Sequence, residues 1–234
     1  IFSFIPNTAE TAFYGLIKGA EDYLNEIKKE KILSWGKEFS EEKLSEMISR
    51  KVRIEKIAIK DVKLRTFITE DSSRNEMVQH VYDITYGTVR KNEDTLVVID
   101  DSIVRGTTLK ESIIRMLSRL KPKKIIIVSS APQIRYPDCY GIDMSKMGDF
   151  IAFKAAVSLL KETGQLGLLD DILENCKNLQ RNNKLHTENL VRQVYKPFST
   201  EEISARIAEL ITPEEVKIPV QVIYQKIETL HEAC

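Results

Sequence analysis

Two apolar strands joined by a polar turn and an amphipathic helix constrain this chain more than any other feature. The first is TLVVI at 95–99 and the second lies within KKIIIVSSA at 123–131. Runs with so little polar alternation belong to strands covered on both faces, as in a parallel sheet. Between them KESIIRMLSRL, 110–120, sets Ile113, Ile114, Leu117 and Leu120 on one side, the pattern of a helix that crosses back over the sheet. Such a unit closes with a right-handed crossover.

The chain before this unit reads in the same alphabet. IFSFI (1–5) is a short apolar strand ended by Pro6 and Asn7. A helix follows, with Thr8 as its N-cap and Ala12, Tyr14, Leu16 and Ile17 at helical spacing. After a polar break near Gly36, EEKLSEMISRKV (41–52) predicts a second helix, and RIEKIAI (53–59) alternates as a strand with one covered face. Residues 60–92 are polar and mixed, with a short strand RTFI (65–68) and a helix around NEMVQHVYD (75–83). From about residue 147 the reading is mostly helical: DFIAFKAAVSLLKETG, LGLLDDILENCKNLQ, STEEISARIAELI and the final segment. The expected fold is therefore α/β, a parallel doubly wound sheet followed by a helical C-terminal extension.

Composition narrows the function classes. Lys plus Arg and Asp plus Glu both total 35 in 234 residues, so no bulk charge draws the chain to nucleic acid or anionic lipid. The longest apolar runs fall far short of the roughly 20 residues that span a bilayer. IFSFIP has neither the charged lead nor the cleavage site of a secretory signal. Cys139, Cys176 and Cys234 are widely spaced and form no CxxC pair, which suggests reduced thiols and a cytoplasmic protein rather than a disulfide framework, a zinc site or a cluster. His80, His186 and His231 are scattered. Because IFSFI starts a strand at the first residue and QVIYQKIETLHEAC reads as an element under way, the chain is expected to be a piece of a longer protein.

The chemistry concentrates in DDSIVRGTT, 100–108. Asp100 and Asp101 follow a strand, where ligands of open α/β sheets gather. Carboxylates there suit a metal ion or hydroxyl groups. A strand-to-helix turn exposes unpaired N–H groups at the positive end of the helix dipole, Gly106 permits the tight backbone, and Thr107 and Thr108 can donate hydroxyl bonds. A ligand that satisfies both halves is a sugar phosphate with magnesium. The pattern is neither GxxxxGK[ST] nor GxGxxG, which disfavours a mononucleotide P-loop.

VVIDDSIVRGTT resembles the phosphoribosyl pyrophosphate (PRPP) signature of type I phosphoribosyltransferases, in the variant of the glutamine amidophosphoribosyltransferase family. IPNTAETA (5–12) is similar to that family's pyrophosphate loop, KDVKLRTFI (60–68) to its flexible loop KNRYVGRTFI, and SSAPQIRYPDCYGIDM (129–144) to the segment ending in YGID. The resemblance implies a phosphoribosyltransferase domain over 1–165, with an insertion at about 20–52 and a flexible loop at about 60–92, and a helical extension over 166–234. It also implies roles. Asp100 and Asp101 would hold the ribose hydroxyls directly or through Mg²⁺. Ser102, Val104, Arg105, Gly106, Thr107 and Thr108 would cradle the 5′-phosphate. Asn7, Thr8, Ala9 and Glu10 would meet pyrophosphate, Lys60 and Arg65 would close over the substrate, and Tyr140 would sit near the incoming amine. The implied reaction converts PRPP and ammonia to phosphoribosylamine and pyrophosphate in purine synthesis. Ammonia would come from glutamine through an N-terminal glutaminase domain that this sequence does not contain.

The resemblance further suggests purine nucleotides as inhibitors and a homo-oligomer. Two other readings share the turn: a nucleobase salvage transferase, and a non-catalytic PRPP- or nucleotide-binding regulatory module. Three departures from the family pattern stand out, and the altered 60–83 segment among them favours the module. The 60–68 loop is one residue short, SSRNEMVQHVYD replaces an arginine-rich stretch, and residues 20–52 are longer than the usual helix and linker.

Overall fold

The computed structural model describes residues 1–6, 8–60, 82–85, 87–137, 144–184 and 188–233. A parallel four-stranded sheet has the order β1 (Phe2–Phe4), β4 (Thr95–Asp100), β5 (Lys124–Ser129), β6 (Val220–Tyr224). A separate antiparallel pair joins β2 (Ala58–Lys60) to β3 (Tyr82–Ile84). Ile54 makes a single parallel bridge to Phe2 on the outer side of β1. Including that bridge, the order reverses between β1 and β4, which is the topological switch of a doubly wound sheet.

Helices divide between the two faces as the side chains dictate. Side chains alternate along a strand, so Leu96, Val98, Ile125, Ile127 and Val222 share one face. All five are buried in the main core with residues of the turn Leu109–Ile113, α3 (Ile114–Ser118), α4 (Ile151–Glu162) and α6 (Thr200–Ile211). The opposite face is smaller. There Ile99 meets Ala9, Phe13 and Ile17 of the α1 region, with Phe2, Phe4 and Val128 packed alongside. α1 (Glu10–Ser34) buries only Phe13 and Ile17 along its 25 residues, and α2 (Glu41–Ser49) folds back beside it, capped by the Ser40 hydroxyl, which accepts from the Lys43 N–H. The helix–break–helix expected over the first fifty residues is present.

Several expectations need correction. The N-cap of α1 is Ala9, already in helical conformation and fully buried, with no side-chain hydrogen bond, so Thr8 does not cap it. The strand expected over 53–59 is reduced to Ala58–Lys60 and the Ile54 bridge. Between them the Ile57 N–H donates to the Ser3 hydroxyl, a side-chain acceptor in place of a ladder carbonyl. Tyr82 and Asp83, read as the end of a helix, lie in β3, while RTFI and the rest of that helix fall outside the described residues.

The C-terminal third contains α5 (Gly167–Arg181), α6 and α7 (Ile227–Ala233), as expected, but also β6, which the helical reading missed. β6 pairs with β5 from Ile125↔Val220 to Ser129↔Tyr224, and Ile203, Ile207 and Ile211 of α6 bury fully in the same core as β4. β6 and α6 therefore complete the sheet and its core.

Candidate functional site

The crevice opens where β1 and β4 part. The two strands are neighbours, and the Ile5 N–H still donates to the Ile99 carbonyl at 2.9 Å. Beyond that bond the chain after β1 turns to α1 on one face, and the chain after β4 turns to the opposite face. Loops that diverge from adjacent carboxyl ends leave the gap in which ligands of such sheets sit. Thr8, Ala9 and Glu10 thus share a sheet edge with the whole 100–108 turn. Thr8 and Glu10 are exposed, and Glu10 accepts from the Tyr14 hydroxyl at 3.2 Å.

The aspartate pair is set from below. Asp101 N–H donates to Asp100 Oδ1 at 2.9 Å and Ser102 N–H to Asp101 Oδ1 at 2.7 Å, so each carboxylate is oriented by the next amide. The end of β5 fixes their backbones. Ser130 N–H donates to the Asp100 carbonyl at 2.9 Å, Ser130 Oγ–H to the Asp101 carbonyl at 2.9 Å, and Ala131 N–H to the same carbonyl at 3.1 Å. Among the described residues no group of three His, Cys, Asp or Glu could hold a metal. Two adjacent, oriented carboxylates fit a magnesium ion that takes its other ligands from water and substrate oxygens.

The turn after β4 is built on the C-terminal helices. Ile151 N–H, at the start of α4, donates to the Val104 carbonyl at 2.8 Å, and Arg105 pairs with Asp149 at 3.9 Å. Gly106 has φ of +73°, and a β-carbon there would stand 2.8 Å from Ile211 Cγ2 and 3.4 Å from Ile151 Cγ1. Glycine is needed for both conformation and space. Thr107 and Thr108 follow in helical conformation with both side chains exposed, and Thr108 forms no side-chain cap. The next five residues, Leu109–Ile113, make a π turn in which Ile114 N–H reaches the Leu109 carbonyl. Single π turns inside helices are frequent at functional sites.

The loop after β5 is braced beside this edge. Tyr195 hydroxyl donates to the Arg135 carbonyl at 2.8 Å, the Arg135 guanidinium lies 5.0 Å from the Tyr195 ring centroid, and Tyr136 meets that ring edge-on at 5.7 Å. Burial, with the nearby Tyr136 hydroxyl, raises the Tyr195 phenol well above its ordinary value, so it stays a protonated donor.

Of the residues picked from sequence, Thr8, Ala9, Glu10, Asp100, Asp101, Ser102, Val104, Arg105, Gly106, Thr107 and Thr108 come together at the switch point. Lys60 ends β2, away from the four-stranded sheet's ladder. Asn7, Arg65 and Tyr140 fall outside the described residues. Ser130, Asp149, Ile151 and Ile211 are supporting residues that sequence reasoning did not single out. Ser130 lay within a segment already noticed; the isoleucines carried no signal beyond apolar periodicity.

No family model matches this chain. Curated proteins do. A 70-residue stretch is 44% identical to the amidophosphoribosyltransferase of Haemophilus influenzae, covering 30% of this chain and 14% of that protein. The Pasteurella multocida amidophosphoribosyltransferase is 48% identical over 61 residues, 26% of this chain and 12% of the relative. The Schizosaccharomyces pombe amidophosphoribosyltransferase is 32% identical over 93 residues, 38% and 17%. These stretches are similar in sequence to parts of the three amidophosphoribosyltransferases. The matched part spans less than a fifth of the length of each of these three relatives.

Among solved structures, the glutamine PRPP amidotransferase of B. subtilis, complexed with ADP and GMP, aligns with a TM-score of 0.41 and 23% identity, over 70% of this chain and 29% of that one. No described helix is long and apolar enough to cross a membrane.

Proposed function

We propose that this chain is the phosphoribosyltransferase part of an amidophosphoribosyltransferase, binding PRPP with Mg²⁺ and transferring its phosphoribosyl group to ammonia with release of pyrophosphate. The single observation that carries the reading is the switch-point crevice. It unites two oriented carboxylates with a turn whose glycine is obligatory and whose two threonine hydroxyls are exposed. The sequence relationship to amidophosphoribosyltransferases supports it.

The chain's own groups match the charges of that substrate. The amides and hydroxyls of 104–108 would hold the dianionic 5′-phosphate at a helix N-terminus. Asp100 and Asp101 would accept from the ribose hydroxyls and stabilise positive charge that develops on the ring as the anomeric bond breaks. The backbone after β1, from Thr8 to Glu10, would face the departing pyrophosphate. Bound magnesium would supply countercharge for the polyphosphate, with Asp100 and Asp101 as its protein ligands. No side-chain nucleophile is required, since ammonia itself bonds to the anomeric carbon as that carbon's bond to the pyrophosphate oxygen breaks and the electron pair leaves with pyrophosphate. Positioning and electrostatics would account for the acceleration.

In a longer protein a glutaminase domain would supply ammonia, and purine nucleotides would act as inhibitors of a cytoplasmic enzyme of purine synthesis. The test is pyrophosphate release from PRPP and Mg²⁺ with ammonium as the varied substrate, on the chain and on its full-length protein. Turnover that disappears in Asp100→Asn with Asp101→Asn supports the enzyme. Calorimetric binding of PRPP without turnover in either form assigns a binding module instead. Failure to bind PRPP sinks both.

A further inference from the structure

We propose that Tyr195, Arg135 and Gln133 are positioning residues for the ammonia side of the reaction, clamping the loop after β5 past which the incoming nitrogen travels. This assignment rests on the proposed transfer to ammonia and adds to it a side of entry and the residues that shape it.

The order of strands sets that side. β4 lies between β1 and β5. In the proposed complex the ribose stands over the end of β4, the 5′-phosphate lies in the 104–108 turn, and pyrophosphate leaves toward the backbone that follows β1. Ammonia bonds to the anomeric carbon on the face opposite the breaking C–O bond, which is the β5 side. The electron pair of that bond departs with pyrophosphate, and the new C–N nitrogen releases a proton to solvent. The chain on the β5 side is the loop that starts at Ser130 and Ala131, whose N–H groups donate to the Asp100 and Asp101 carbonyls. It therefore begins against the carboxylate pair.

Past Ala131 the loop has little backbone support. Among the described residues, no backbone–backbone hydrogen bond holds 132–136. Side chains hold it instead. Arg135 donates through Nε and Nη2 to Gln133 Oε1 at 3.0 and 2.7 Å. Gln133 Nε2 in turn donates to the Thr200 carbonyl at 2.9 Å and to Ser204 Oγ at 2.8 Å, both on α6. From the other direction Tyr195, only 3% exposed, donates to the Arg135 carbonyl and lies beneath the Arg135 guanidinium. Arg135 is thus gripped by its backbone and by its side chain at once, while Tyr136 packs on the main core and edge-on to Tyr195. Such a clamp suits this acceptor. Ammonia has no remote part whose binding energy could order a loop around it, so its path has to be organised before it arrives.

The test is steady-state pyrophosphate release by the full-length protein at one fixed pH, with ammonium varied at saturating PRPP and Mg²⁺, beside PRPP affinity by calorimetry. Tyr195→Phe, which removes only the hydroxyl, and Gln133→Leu should each lower kcat/KM for ammonium about three- to tenfold, the worth of a lost hydrogen bond, and leave PRPP dissociation within about twofold. Asp94→Asn, at the amino end of β4, is a more destabilising change away from this loop, and should leave both quantities within about twofold. Falls of under about twofold in both loop variants, a parallel loss of PRPP affinity, or an equal fall in Asp94→Asn overturns the assignment while the reaction stands. A full-length wild type that releases no pyrophosphate from PRPP overturns the reaction, and the assignment with it.

Discussion

Replacing Gly106 by alanine tests whether the turn after β4, the proposed phosphate cradle, rests on the C-terminal helices. Two costs add. At φ of +73° a β-carbon is strained by roughly 1–2 kcal/mol. The same β-carbon would lie 2.8 Å from Ile211 Cγ2, well inside van der Waals contact, and forcing an extra methyl into a filled core costs about 1–3 kcal/mol. Gly106→Ala should therefore lose about 2–5 kcal/mol in urea unfolding, and PRPP binding by calorimetry should weaken at least tenfold as the turn is displaced. The steric part can be isolated. Ile211→Ala removes the opposing methyl, so the double variant should be more stable than the sum of single losses predicts, by about 1–2 kcal/mol. The conformational part remains. If Gly106→Ala changed stability by under about 0.5 kcal/mol, or if the two losses were additive, the account of α6 as the floor of this turn would be wrong.

Three further outcomes are expected. Thr107→Ala and Thr108→Ala should each weaken PRPP binding about three- to tenfold in calorimetry, with stability nearly unchanged, because both side chains are exposed. Asp94 is 6% exposed and accepts from Arg90 Nη2 at 2.7 Å, Arg90 N at 2.8 Å and Arg53 Nη1 at 2.8 Å; Asp94→Asn should cost about 2–4 kcal/mol in urea. Those bonds, led by that of the Arg90 side chain, hold the Asp94 carboxyl below its ordinary value of 3.8. Its contribution is then complete above that value and lost as pH falls through the lower folded one, so acid unfolding followed by circular dichroism should be less steep in the Asn variant. Tyr195→Phe removes the hydroxyl bond to the Arg135 carbonyl and should cost about 1 kcal/mol in the same urea assay.

How much of this was legible follows from where each signal lives. β4 and β5 announce themselves because strands buried on both faces cannot hide their composition, and DDSIVRGTT because its residue types conflict with a purely structural turn. The partition of helices between faces was not legible, since it depends on the Ile54 bridge, a tertiary contact of one residue. β6 was missed for a related reason. VQVIY is only five residues long and lies among helices, and what makes it a strand is the waiting edge of β5. The Thr8 cap failed by one position because burial of Ala9 against Phe13 and Ile99 outweighs the preference for a capping hydroxyl. Ile151 and Ile211 were recognisable as core residues, but nothing local says that they sit beneath a glycine 45 and 105 positions earlier.

The π turn at Leu109–Ile113 inserts one residue more than an α-helix would use over the same rise. It works as a phase adjuster: Ile113, Ile114 and Leu117 stay locked to the sheet, while the segment upstream is rotated relative to them. Removing a single residue from this turn would restore regular winding and leave Thr107 and Thr108 near their present phase, whereas α winding of the intact sequence would swing them by about 100° around the axis. The deleted protein would keep both its core and the direction in which the two hydroxyls are presented.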